Sequence, residues 1–391
     1  MTIALPRIAL PRHAPARFLQ DLEMIQGGRL TLRTPEGDIH HFGHAGPEVE
    51  MHLRDWRVLP ALAARGDIGL GETYVAGLWD SQTLEPLLHM LIRNSDALEA
   101  YGRQSGLARL KLRLVDRVLR KNSLKGASRN IRAHYDVGNE FYQLWLDQGM
   151  TYSSGLFHEG DDLETAQARK NARILSKLSG GERVLEIGCG WGGFAEAAAD
   201  AGRHVTGLTL SPSQAGYADA RLDGRADIRL QDYRLTTGKF DNIVSVEMIE
   251  AVGEANWPVY FNALAARLEQ GGRAVIQAIT VPDQQFSVYR QRSDYIRQHI
   301  FPGGMLPCHS AMTYAASKAG LELKDNFSFG PDYARTCRIW ADRMQDALPR
   351  IKKLGYGDDF LRSWSFYLLG CAATFATRRT DVVQMEFAHR G

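Results

Sequence analysis

The period of apolar and polar positions changes several times along this chain, and each change predicts an element. Residues 29–42, RLTLRTPEGDIHHF, alternate about Pro35-Glu36-Gly37, which predicts a β-hairpin and its turn. Helical segments follow. Residues 66–80 carry Gly66, Gly69, Gly71 and Gly77, too much glycine for a simple helix start, and predict either a functional loop or a packing turn. Leu107, Leu110, Leu114 and Val118 then recur at helical spacing, with Leu112, Val115 and Leu119 beside them. Residues 130–157 are dense in Tyr, Trp and Phe; lying directly before a glycine-rich turn, they predict a lid over a ligand site, ordinary core being the alternative. Val184, Leu185 and Ile187 form an apolar run that stops at Gly188, Gly190, Gly192 and Gly193 and passes into alanine-rich helical sequence. Strands are expected again at 204–210, near 228, and at 241–246, 273–281, 321–329 and 382–387, interleaved with helices. Seven strands alternating with helices predict a doubly wound α/β sheet. Between 283 and 308 lies an aromatic and apolar segment with Arg290, Arg292 and Arg297, too long for a simple connection and therefore expected to be functional.

The turn after the first of these strands carries the strongest chemical signal. A buried parallel strand that feeds a helix through glycines lets backbone approach a ligand closely and aims the helix N-terminus at it. Gly188, Gly190 and Gly192 alternate, while Gly193 restores a dinucleotide-type spacing, so the glycines alone leave the ligand open. Glu186, just before the turn, suits the cationic methionine end of S-adenosylmethionine (SAM) and would repel a pyrophosphate. The second strand ends in Thr209-Leu210-Ser211 with no acid to grip a ribose, which disfavours a nicotinamide-linked oxidoreductase and leaves Gln214 as the ribose partner. A ligand-free turn of a Rossmann-like domain is the bland alternative.

Composition changes this picture little. With 391 residues the chain accommodates two domains or one enzyme domain with an extension. Its four cysteines, Cys189, Cys308, Cys337 and Cys371, lack metal-ligand spacing and suggest no disulfide, so no metal is expected and a reducing cytoplasm fits. There is no apolar run long enough for a membrane span and no signal-peptide core. The net charge of +2 predicts no polyanion partner, but its distribution is uneven. Ten Lys and Arg residues between Arg103 and Arg132 face only Asp116, giving a basic amphipathic helix suited to an anionic membrane surface or to nucleic acid, with a solvated linker helix as the equal alternative.

Several blocks, in order, closely resemble the cyclopropane-fatty-acid synthase family of SAM-dependent methyltransferases: GLGETYVAGLWD, HYDVGNEFYQLWLD, MTYSSGLF, VLEIGCGWGG, GLTLSPSQ, the EAVG at Glu250, IFPGGMLP and GPDYARTCRIW. The resemblance covers nearly the whole chain. It implies a class I methyltransferase, Rossmann-like with a seven-stranded sheet, preceded by a smaller α+β domain for lipid binding or homodimer contacts. The implied boundaries are 1–100 for that domain, 101–132 for a basic linker and 133–391 for the methyltransferase, with the acyl-site insertion at 283–308. The implied reaction adds a one-carbon unit from SAM across the cis double bond of an unsaturated acyl chain in a membrane phospholipid, on the cytoplasmic face of an anionic membrane and with no nucleic acid partner.

The resemblance also assigns residues. Tyr152, Ser153 and Glu186 are matched to the methionine end of SAM, Gly188 and Gly190 to the close turn, and Thr209 and Gln214 to the ribose and adenine side. Glu250 and Tyr333 resemble the glutamate and tyrosine of a bicarbonate site, which Ile279 retains, whereas Ser154 and Gln277 stand where the family has Cys and His. The Gln277 amide and the backbone at position 154 are expected still to hold bicarbonate, with Glu250 as the base and a cyclopropane as the leading product. If the anion is displaced, a methylene- or methyl-branched chain is expected instead, with a partner reductase for a saturated branch. The π faces of Tyr152, Phe157 or Tyr333 are expected to stabilise the intervening carbocation. A non-catalytic lipid-binding relative and a methyltransferase for a small soluble molecule are the competing classes; the second has no use for the basic helix or the apolar insertion.

Overall fold

β1 (Arg29–Arg33) pairs antiparallel with β2 (Ile39–Phe42) across the Pro35-Glu36-Gly37 turn, as the alternation predicts, and Leu30, Leu32 and Phe42 point into the core. β3 (Glu48–Leu53) runs parallel to β1, and β4 (Trp79–Asp80) pairs antiparallel with β3 to complete a four-stranded sheet. The computed structural model describes residues 13–95, 98 and 137–391. The basic segment between Arg103 and Arg132 therefore lies outside the described residues.

The glycine-rich stretch before β4 is neither of the two irregular forms expected. Asp67–Val75 is a helix, started by Gly66 at φ +62°. Its glycines serve close packing: a Cβ at Gly69 would lie 2.1 Å from the Ala61 carbonyl oxygen, and one at Gly71 would lie 2.3 Å from the Tyr295 ring. Tertiary contact thus overrides the low helix propensity of glycine.

The seven expected strands are all present: β5 (Arg183–Ile187), β6 (His204–Thr209), β7 (Asp227–Leu230), β8 (Phe240–Val246), β9 (Leu268–Thr280), β10 (Leu321–Ser328) and β11 (Asp381–His389). They form one sheet in the order β10-β11-β9-β8-β5-β6-β7, parallel from β9 through β7, with β11 antiparallel to both neighbours. The strand order reverses between β5 and β8, and the crevice beyond their carboxyl ends is the ligand position of such sheets.

The described part of the aromatic stretch, 137–157, packs mainly as core and not as a lid. Phe141, Tyr142 and Trp145 are fully buried, with Tyr142 4.9 Å from the Trp191 ring, Phe141 4.9 Å from Trp364 and Trp145 5.7 Å from Trp340. Among its described residues, Met150 to Ser153 reach the cavity described below. The same apolar cluster continues into the N-terminal unit through Trp79 and Leu87.

The insertion after β9 holds a helix, Asp283–Tyr289, and a π-helical turn, Ile296–Ile300. Tyr295 anchors it: its ring lies 4.8 Å from Phe366, its hydroxyl bonds Ser363, and its backbone N–H donates to Asp67 at 3.2 Å. Buried Glu72 adds bonds from Arg65 at 2.6 Å and His299 at 2.9 Å. The N-terminal helix Asp67–Val75 and the long C-terminal helix Asp358–Ala376 therefore grip the insertion from two sides. Among the described residues no helix is long and apolar enough to cross a membrane.

Candidate active site

A cavity of about 310 Å³ opens at the carboxyl ends of β5, β6 and β8 and extends under the insertion. Its polar end is built by the glycine turn. Gly188, Gly190 and Gly192 have φ of +84°, +53° and +86°, a conformation that L side chains resist. A Cβ on Gly190 would meet nothing within 4 Å, so this backbone faces open space in the cavity. Gly192 caps the helix Gly193–Asp200, whose first N–H groups point the same way. At the end of β6, Thr209 Oγ1 donates to Gln214 Oε1 at 2.9 Å and accepts from Ser211 N, which fixes both side chains at the rim. Asp232, after β7, also lines this end and was missed in the sequence, where it is one acid beside a short strand.

Glu186 lies in the floor with Oε2 unpartnered, and burial pushes its carboxyl up to about 8. Lys170 is buried beside it on the helix Leu163–Ser176, between Ala166 and Ile174 on the packed face; burial lowers it to about 8 against the charges of Glu247, Asp147 and Glu186. It donates to Ser153 Oγ at 3.3 Å. A lysine on the apolar stripe of a helix is a signal that sequence reading passed over. An orphan carboxylate oxygen, an open glycine cradle and a helix N-terminus together fit a nucleoside ligand that carries a positive centre.

The other end is apolar and aromatic, lined by Ile279, Phe301, Met305, Tyr333, Tyr367 and Phe375. Tyr152 bridges the two ends, its hydroxyl 2.8 Å from that of Tyr367 and its ring stacked 6.3 Å from Phe301. Phe157 does not reach the cavity; its ring lies under Arg335, 4.3 Å from the guanidinium, so the expected role beside a carbocation is withdrawn.

Between the ends sits a residue that sequence reading did not select. Glu247 follows β8 at φ +51°, and its carboxylate gathers three donors: Ser154 N–H at 3.0 Å and Gln277 Nε2 at 2.7 Å on Oε1, and Tyr333 Oη at 2.6 Å on Oε2. Gln277 is itself held by Gln384 at 2.9 Å, and the Ser154 hydroxyl turns away to the Gly155 carbonyl. Among the described residues, Glu250, one turn further, accepts only the Ile279 N–H at 2.5 Å on Oε1, and its Oε2 has no partner. Burial, reinforced by the charge of Glu247, pushes Glu250 up to about 8. Burial raises Glu247 as well, and Tyr333, Ser154, Gln277 and Lys170 offset part of that rise. Of two acids this close, the one with three donors carries the charge and the one with a single donor carries the proton at neutral pH. Burial holds Tyr333 well above the ordinary phenol range, so it remains a donor.

The five residues matched to a bicarbonate site thus come together, but around a side chain. The donors of Ser154, Gln277 and Tyr333 are spent on the Glu247 carboxylate, and the Ile279 donor is spent on Glu250. A bicarbonate ion at that position does not fit, because its donors are engaged and it would meet a second negative charge.

The Mycolic acid cyclopropane synthetase family matches residues 122–385. Tuberculostearic acid methyltransferase UfaA1 of Mycobacterium tuberculosis is 37% identical over 369 residues, 88% of this chain and 84% of that protein. The cyclopropane-fatty-acyl-phospholipid synthase of Escherichia coli is 33% identical over 330 residues, 83% of each chain. Among solved structures, the cyclopropane synthase MmaA2 of M. tuberculosis superposes with a TM-score of 0.62 at 30% identity, covering 67% of this chain and 98% of that one. Mycolic acid cyclopropane synthase CmaA1, complexed with SAH and CTAB, superposes with a TM-score of 0.62 at 28% identity, covering 66% of this chain and 97% of that one.

Proposed function

The chain belongs to the mycolic acid cyclopropane synthetase family of SAM-dependent methyltransferases that act on lipid acyl chains, and from that premise we propose that it adds one carbon to the cis double bond of an unsaturated phospholipid acyl chain. The observation that carries this reading is one cavity with a polar nucleoside end and an apolar aromatic end, joined at Tyr152. An acyl chain suits the second end because its walls are aliphatic and aromatic and offer few donors to a polar substrate.

SAM supplies an electrophilic methyl group. The protein supplies the rest. A double bond is a weak nucleophile, so holding it against the methyl group is the main contribution of the apolar walls. With SAM held at the glycine turn, the double bond would take up its methyl group with S-adenosylhomocysteine as the leaving group, and the neighbouring chain carbon would become cationic. Tyr152 and Tyr333 present π faces to such a cation, and the dry cavity keeps water from capturing it.

Of the two products, we favour the branched chain. A carboxylate shared among three donors is a weak base. A secondary cation that is not deprotonated at once moves a hydride and becomes tertiary, and loss of a methyl proton then leaves an exocyclic methylene. Loss of the same proton before the shift closes a cyclopropane. The kinship to a tuberculostearic acid methyltransferase supports the branched reading. Reduction of the methylene to a methyl branch requires a hydride donor from a separate reductase.

Incubation with labelled SAM and vesicles of unsaturated phospholipid, followed by mass spectrometry of the acyl chains, tests both points. The expected product is a methylene-branched chain from unsaturated but not from saturated lipid. A cyclopropane would restore the ring reading, and binding of both substrates without transfer would reduce the chain to a lipid-binding relative. We also infer that the basic segment from Arg103 to Arg132 helps dock the enzyme on anionic bilayers; vesicle sedimentation should then weaken as salt rises.

A further inference from the structure

We propose that Glu247 is the catalytic base of this enzyme and that its carboxylate takes the place of a dissociable bicarbonate ion. The proposal rests on the acyl-chain reaction above and assigns its proton acceptor.

Three observations carry it. First, the backbone N–H of Ser154 and the side chains of Gln277 and Tyr333 converge from three separate elements on the two oxygens of Glu247, the contacts that an anion in this position would need. Second, Glu247 holds a left-handed backbone, φ +51°, with its N–H tied to the Gln277 carbonyl at 2.8 Å. That conformation is strained for a non-glycine residue, and glycine would sit there without strain. The side chain is therefore retained at a position whose backbone disfavours it. Third, Glu247 lines the cavity between the polar and apolar ends, whereas Gln277 and Ser154 lie behind it.

The neighbours decide its protonation. Glu250 and Tyr333 face it as neutral groups and Lys170 as the nearby cation, so the negative charge resides on Glu247. In the step, a C–H bond of the transferred methyl breaks and its proton passes to Glu247. The electron pair either closes the ring or forms the exocyclic double bond, and the chain cation is discharged. Nothing else is consumed. Glu250 then acts as a positioning residue that holds the Ile279 backbone, not as the base first expected of it.

The test uses Glu247→Gly and Glu247→Gln beside the wild type, in buffer freed of bicarbonate. Wild-type turnover should be indifferent to added bicarbonate. Removal of a positioned base should cost ~10²–10⁴-fold in both variants. Added bicarbonate or formate should restore at least about tenfold in Glu247→Gly, where the three donors are freed, and nothing in Glu247→Gln, where the amide fills the space. SAM affinity by calorimetry, expected unchanged, shows that the variants are folded. ¹³C NMR of labelled bicarbonate gives a readout independent of turnover: binding to Glu247→Gly and not to wild type is expected. A wild type that binds or requires bicarbonate, or a fully active Glu247→Gln, overturns the proposal. A wild type that methylates no unsaturated phospholipid in either buffer instead overturns the reaction, while the NMR result still decides whether Glu247 fills the anion's place.

Discussion

The two ends of the cavity are built differently. At the polar end, proposed for SAM, the cradle is backbone: a glycine turn, a helix N-terminus and strand ends whose geometry follows from the doubly wound sheet. The side chains beside it, Glu186, Thr209 and Gln214, come from the same local units. At the acyl end the contacts come from side chains gathered from distant segments, with Ser154, Glu247, Gln277 and Tyr333 meeting around one carboxylate. Backbone sites tolerate almost any neighbouring sequence but no Cβ. Side-chain sites tolerate changes of backbone neighbour but depend on each polar atom, because every donor there has one use.

The largest expected effect separates the ends cleanly. Glu247→Gln should lower turnover by ~10²–10⁴-fold with SAM affinity unchanged. Gly190→Val should do the reverse in kind, abolishing SAM binding by calorimetry while far-UV dichroism stays native, because a branched side chain at φ +53° would intrude into the open cradle. Undiminished affinity in Gly190→Val would remove the SAM end from the account. Tyr333→Phe takes one of three donors from a charged group and should cost about 1.5–3 kcal/mol of carboxylate stabilisation, or roughly 10–100-fold in turnover if the charged form is the active one. An unaltered rate would show that Tyr333 only packs.

The smallest effect is on stability. Glu250 holds its proton up to about 8 in the folded chain against an ordinary 4.5. The folded state therefore binds more protons than the unfolded one between those values, and stability falls as pH rises through that window. Glu186, raised in the same direction, contributes alike. Glu250→Gln removes its own contribution, so its thermal midpoint should decline less between about pH 5 and pH 8 than that of the wild type. An equal decline would mean that Glu250 is ionised in the fold.

The SAM end was legible in the sequence because its signals are local. Gly188, Gly190, Gly193, Thr209 and Gln214 lie within single strand-turn-helix units, and all of them line the cavity. The seven strands were legible for the same reason. The apolar end was half legible. Resemblance brought together Ser154, Gln277, Tyr333, Ile279 and Glu250, which do converge, but their centre, Glu247, was passed over. The signal existed: two acids three residues apart in SVEMIEAVG, at the end of a buried strand where one carboxylate already demands an explanation. Nothing in periodicity reveals a φ of +51° at a glutamate, and the donors that fix it come from positions 93, 30 and 86 residues away along the chain. The aromatic stretch and the glycine-rich helix were misjudged on the same ground. Phe141, Tyr142 and Trp145 pack on Trp191, Trp340 and Trp364, and Gly71 makes room for Tyr295, contacts that only tertiary structure supplies.

The central claim, a methyl group delivered from the backbone end and deprotonated by an internal carboxylate at the side-chain end, is tested most directly by isotope retention. The wild-type enzyme is given SAM with a trideuterated methyl group and an unsaturated phospholipid, in buffer free of bicarbonate, and the product acyl chain is weighed by mass spectrometry. The account predicts efficient transfer with two deuteriums retained and the third lost to the base, in a methylene-branched chain or a ring alike. Retention of all three deuteriums, or transfer that appears only when bicarbonate is supplied, would contradict it.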